Sequence, residues 1–107
     1  MDDLIVLYSD IFKKHVIDRA HPESPSRLDQ IMEGIEELSN ETDKRISIIP
    51  PEYIEDEDLL AVHVPNHIEK IKAISDSGGG MVTIDTTLNE HTFDVAKFAA
   101  GATKQAV

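Results

Sequence analysis

The sequence predicts an α/β fold with a parallel sheet, and three stretches carry that expectation. Leu4-Ile5-Val6-Leu7-Tyr8 is a continuous, partly β-branched apolar run, the pattern of a strand covered on both faces. Residues 25–39 then place Leu28, Ile31, Met32, Ile35 and Leu38 at helical spacing. Ile46-Ser47-Ile48-Ile49 reads as a second short strand, stopped by Pro50-Pro51, which cannot donate to a sheet ladder.

Taken in order, residues 9–20 are mixed in polarity and read mostly as loop. In His21-Pro22-Glu23-Ser24-Pro25-Ser26-Arg27-Leu28, two prolines fix their own φ and push His21 and Ser24 toward extended geometry, so the loop has few conformations. Ser24 stands where a helix N-cap belongs and Pro25 at the first helical position. Asn40 with Glu41-Thr42-Asp43-Lys44 makes a polar exit turn. The acidic residues 52–58 lead into a short helix around Leu59-Leu60-Ala61-Val62, with Asp56 or Asp58 favoured by its N-terminal dipole; otherwise the run reads as a solvated face. Pro65 opens another helix with Ile68, Ile71 and Ile74 inward, ended by Ser77-Gly78-Gly79-Gly80, a flexible turn. Met81-Val82-Thr83-Ile84 is a brief extended segment. From Thr92 a last helix is apolar on nearly every side, as buried helices are.

The bulk numbers limit what the chain can do. Its 107 residues, 40% hydrophobic and 29% charged, suit one folded domain. A formal charge of -11 repels phosphate backbones and suits cationic partners, so direct nucleic-acid binding is not expected. Without cysteine there is no disulfide framework, thiol nucleophile or thiolate metal site. The short apolar run at residues 4–8, preceded by two aspartates, makes neither a signal peptide nor a membrane span. The chain is read as cytoplasmic. The last helical pattern stops at Val107 with no cap or polar tail, so the expectation is the front portion of a larger α/β domain, self-associating or swapped when alone.

Few constellations carry chemistry by themselves. His63 and His67 have the H-x-x-x-H spacing that puts two imidazoles on one helical face for zinc, but Pro65 lies between them and Val64 replaces the glutamate of H-E-x-x-H. Capping or packing histidines are the simpler reading, and a small metalloprotein the sharper one. The triple glycine lacks the Lys-Ser or Lys-Thr of a phosphate loop. Tyr8, Ser9 and Ser24 have no evident base partner, Arg27 could pair with Glu23 or Asp29 on a helix surface, and Asp85 suits a turn or cap.

In sequence order, however, the first strand ending at Tyr8, His21-Pro22-Glu23-x-Pro25-x-Arg27-Leu28, Leu60-x-x-His63, Ile84-Asp85-Thr86 and Ala99-Ala100-Gly101-Ala102 resemble the N-terminal third of the histone deacetylase superfamily, including its acetoin-utilisation and acetylpolyamine amidohydrolase-like members. The resemblance spans nearly all of residues 1–107. It implies the N-terminal part of an arginase/deacetylase-type three-layer α/β domain, here about two strands and three to four helices. It further implies a zinc-dependent amidohydrolase that removes acetyl from acetyl-lysine or acetylpolyamine-type amides, an acetylated cationic substrate being the partner. The family's two aspartates and histidine that hold zinc, and its tandem histidines, follow the A-A-G-A helix and have no counterpart here. The resemblance therefore implies a chain that is inactive alone, with no catalytic residue and no bound zinc, the metal belonging to the full-length domain. Asp85 matches the rim aspartate that accepts hydrogen bonds from substrate amides, and His21, Pro22 and Glu23 match the first active-site loop. Arg27 matches the arginine of a channel proposed to release acetate. The alternative is a short acidic interaction module derived from the same fold.

Overall fold

A computed structural model describes residues 3–16, 23–84 and 86–107. Strand β1, Leu4–Leu7, pairs in parallel with β2, Ile46–Ile49, with Leu4 opposite Ile46 and Leu7 opposite Ile49. Between them runs helix α1, Ser26–Glu41. This is the parallel arrangement the two apolar runs predict.

The start of α1 differs in detail from a serine cap. Pro25 already has helical φ and ψ of -58° and -28°, while the Ser24 hydroxyl meets Ser26 Oγ at 2.8 Å instead of a backbone amide. The first turn closes through Arg27 N donating to Ser24 O and Leu28 N to Pro25 O. Leu28, Met32 and Ile35 are half-buried, but Ile31 and Leu38 remain 48% and 47% exposed. Two strands are too narrow a platform to cover an apolar stripe this wide. A groove of about 420 Å³ opens between α1 and the strands, with Tyr8, Met32, Ile35, Ile46 and Ile48 among its walls.

Two segments are more ordered than their sequences suggest. Within the region read as loop, Asp10–Lys14 forms a 3-10 helix; Ser9 Oγ accepts from Ile11 N, and the Tyr8 and Phe12 rings meet edge to face at 5.9 Å. The glycine run is a turn only at its start. Gly78 and Gly79 take φ of 106° and 117°, which only glycine adopts easily, and Gly79 opens strand β3, Gly79–Thr83. That strand pairs antiparallel with β4, Thr86–Asn89, with an irregularity between Met81 and Thr83. The described residues thus hold four strands where about two are expected. The second pair escapes periodicity because β3 contains glycines whose only strand signal is the partner across from them.

Helices α2 (Asp56–Leu60), α3 (Pro65–Asp76) and α4 (Thr92–Ala106) complete the chain. The core lies where α3, β4 and α4 meet, with Leu88, Val95 and Ala102 buried beside Ser75, Thr92 and Lys97. Burial of α4 is therefore real but one-sided. Among the described residues, the exposed large apolar side chains include Leu4, Ile5 and Ile48 on the strand pair and Val62 and Val64 before α3, as well as Val107 at the end of α4.

Candidate functional site

Helix α4 organises two polar clusters, one at its first turn and one halfway along. At the first turn, Thr92 Oγ1 accepts from Asn89 N at 2.8 Å and lies 2.7 Å from His15 Nδ1. Asn89 Oδ1 accepts from His91 N at 2.8 Å and from Thr92 Oγ1 at 3.1 Å. The Asn89 amide nitrogen donates to Lys14 O at 2.6 Å and reaches Val16 O at 3.4 Å. One asparagine thereby ties the end of β4 and the start of α4 to the segment that leads toward residue 17. From α3, the fully buried Ser75 hydroxyl accepts from Phe93 N at 3.1 Å and donates to Asn89 O at 2.9 Å. It satisfies one of the amides that every helix start leaves without an internal partner.

The second cluster surrounds Lys97. Its ammonium is carried into the structure, with the residue only 8% exposed, and pairs with Asp56 Oδ1 at 2.5 Å. It also lies 4.5 Å from the centre of the Tyr53 ring and 5.7 Å from that of Phe93. A carboxylate and two aromatic faces offset the lost hydration of a buried cation. Lys104 pairs with Asp58 at 2.9 Å, so the acidic stretch is more than a solvated face: two of its carboxylates pin α2 to α4. Tyr53 packs edge to face on Phe98 at 4.8 Å and donates to Asp94 Oδ1 at 2.7 Å.

Burial, the hydrogen bond to Asp94 and nearby Asp94 and Asp56 charge push the Tyr53 hydroxyl up from 10.0 to about 12. The folded state therefore holds this proton after the unfolded chain has released it. Its contribution to stability is complete below pH 10.0 and is lost as pH rises toward about 12. Phenolate absorbance of the folded chain is expected to show a late Tyr53 step, and Asp94→Asn to move that step earlier.

The residues matched to the family's site are spread differently. His21, Pro22 and Asp85 lie outside the described residues; Asp85 stands in sequence between β3 and β4. Glu23 and Arg27 are exposed, at the turn before α1 and in its first turn. Asn89 and His15 carry no mark of their own in the sequence, and Thr92 carries only that of opening the last helix. The signal available was Asn89 standing three residues before Thr92 at a helix start. Its partner carbonyl, 75 residues earlier, has no local signature.

A metal used for catalysis needs about three protein ligands with a position left open. Among the described residues no three histidine or carboxylate side chains converge in this way. His63 and His67 do meet, ring centres 5.0 Å apart, but two donors do not make such a set. The described residues therefore do not fit a catalytic zinc. Nor is any helix among them long and apolar enough to cross a membrane.

Comparison with known proteins agrees with this architecture. The sequence model described as the histone deacetylase domain matches residues 21–107. A histone deacetylase-like amidohydrolase of Pseudomonas aeruginosa is 31% identical over 76% of this chain and 21% of its own length. A probable deacetylase of Archaeoglobus fulgidus is 29% identical over 90% of this chain and 26% of its own. The crystal structure of the HDA15 HD domain superposes with a TM-score of 0.82 at 24% identity, over 95% of this chain and 30% of that one. This chain thus spans less than a third of each of these proteins, and across that span it belongs to the histone deacetylase domain family.

Proposed function

We propose that this chain is the N-terminal segment of a zinc-dependent deacetylase-family amidohydrolase acting on acetyl-lysine or acetylpolyamine-type amides. The observation that carries the reading is the match of residues 21–107 to the deacetylase domain in a chain whose described residues gather no metal-ligand set. On this reading the segment supplies substrate-side loops, and the metal and proton-transferring groups come from elsewhere in the domain. Asp85 accepts hydrogen bonds from substrate amides, an arrangement in which an ionised carboxylate orients a peptide-like ligand strongly. His21, Pro22 and Glu23 form the adjoining loop, and Arg27 offers a fixed cation to the departing acetate. A formal charge of -11 draws in a cationic substrate. The Asn89 cluster holds residues 14–16 against the start of α4.

The 107-residue chain incubated with zinc and an acetyl-lysine peptide is expected to release no acetate. Turnover there would overturn the assignment of the metal chemistry to other residues. In the gene, the codons after Val107 are expected to continue into a Gly-His-His sequence. An in-frame stop at that point would reject the proposal in favour of an acidic interaction module.

A further inference from the structure

We infer that His63 and His67 form a surface site for a divalent first-row transition-metal ion, separate from the zinc of the family's reaction and independent of the proposed deacetylase function. Pro65 between the two histidines argues from sequence against a shared helical face, and the structure removes that objection. His63 N donates to Leu59 O at 2.9 Å, ending the turn after α2, and His67 N donates to Val64 O at 3.1 Å in the first turn of α3. The backbone is thus pinned on both sides of a proline whose own φ is fixed, so the pair is held together without being in one continuous helix.

The resulting geometry suits chelation. The ring centres are 5.0 Å apart and the planes tilted by 31°. With metal–nitrogen bonds of about 2.0 Å, two imidazoles side by side on one tetrahedral ion have ring centres about 5 Å apart. Both residues are exposed, and among the described residues neither imidazole is engaged by a hydrogen bond or ion pair. The floor beneath them is apolar, a small cavity of about 120 Å³ walled by Leu59, Ile68, Ile71 and Phe93. Lys97 also reaches that wall, and its charge is already matched by Asp56. The rings therefore have solvent on one side, where water completes the coordination, and no competing partner on the other. The chain's charge of -11 raises the local concentration of any cation. Two imidazoles and water select a borderline ion, and affinity follows the order in which Cu²⁺ exceeds Ni²⁺ and Zn²⁺.

Calorimetric titration of the 107-residue chain with Cu²⁺, Ni²⁺ and Zn²⁺ chlorides tests the site. One ion per chain is expected, tightest for Cu²⁺. His63→Ala and His67→Ala are each expected to weaken binding by at least the roughly tenfold that loss of even an outer-shell partner costs. His91→Ala, on a residue 3.5 Å from Glu90 and outside the pair, is expected to leave it unchanged. Substoichiometric Cu²⁺ is expected to broaden the imidazole resonances of His63 and His67 before those of the other histidines. Absence of a one-to-one site, or one whose affinity survives loss of both His63 and His67, would overturn the inference.

Discussion

Gly101→Ala is expected to lower stability by about 3 kcal/mol, the upper end of what overpacking a tight interior costs. The reason is a backbone-to-backbone crossing. A Cβ at Gly101 would fall on the carbonyl oxygen of Glu52, with Glu52 C at 2.8 Å and Ile54 N at 3.0 Å. These are main-chain atoms, which have no rotamer to yield. The crossing is also stitched on either side, by Ile54 N donating to Lys97 O at 3.3 Å and Glu52 N to Gln105 Oε1 at 2.9 Å. The strand of chain leading into α2 can make room only by breaking those bonds. In thermal unfolding the variant should melt more than about 10 °C below the parent. Gly34→Ala supplies the opposite sign: nothing lies within 4 Å of its added methyl, and glycine in a helix interior is replaced at a gain of about 0.5–1 kcal/mol. Equal melting temperatures for the two variants would refute the packing argument.

Ser75→Ala is expected to cost about 2 kcal/mol, because it strips two half-buried backbone groups of their partner at once. The hydroxyl is 0% exposed, accepts from Phe93 N and donates to Asn89 O. Removing it leaves the amide at the start of α4 and the carbonyl at the end of β4 without that partner. Denaturant unfolding should register the loss, and hydrogen exchange at the Phe93 amide should accelerate. Ser77→Ala, whose hydroxyl is exposed and bonds only Ile74 O, should stay within about 0.5 kcal/mol of the parent, as surface substitutions do. A Ser75 variant as stable as the Ser77 variant would show that α4 is capped by something else.

These two positions also show where sequence reading ends. The strand at residues 4–8, the strand at residues 46–49 and the helices after Pro25, Pro65 and Thr92 were legible, because periodicity and proline placement are properties of neighbouring residues. Gly101 was visible only as part of a family motif; that its missing side chain admits Glu52 depends on a contact no local pattern encodes. Ser75 follows the Ile68, Ile71 and Ile74 stripe with no local signal of its own, and its burial follows from α3 lying against the first turn of α4. Of the β3–β4 hairpin only the extended residues 81–83 were legible; Gly79 and Gly80 extend because Asn89 and Leu88 are opposite them. Of the candidate site, the motif order pointed to a deacetylase domain, to which residues 21–107 belong. The contacts that tie residues 14–16 to the start of α4, through Asn89, Thr92 and His15, became visible only in three dimensions.

The Asn89 clasp has a consequence for the order in which the protein is made. Its amide grips a carbonyl 75 positions upstream, so a chain leaving the ribosome exposes residues 14–16 long before the residue that fastens them exists. Closing so long a loop carries an entropic cost that local turns do not, and it falls due only when β4 has emerged and α4 has begun. Residues 14–16, made soon after β1, are thus among the last of the early residues to be fastened.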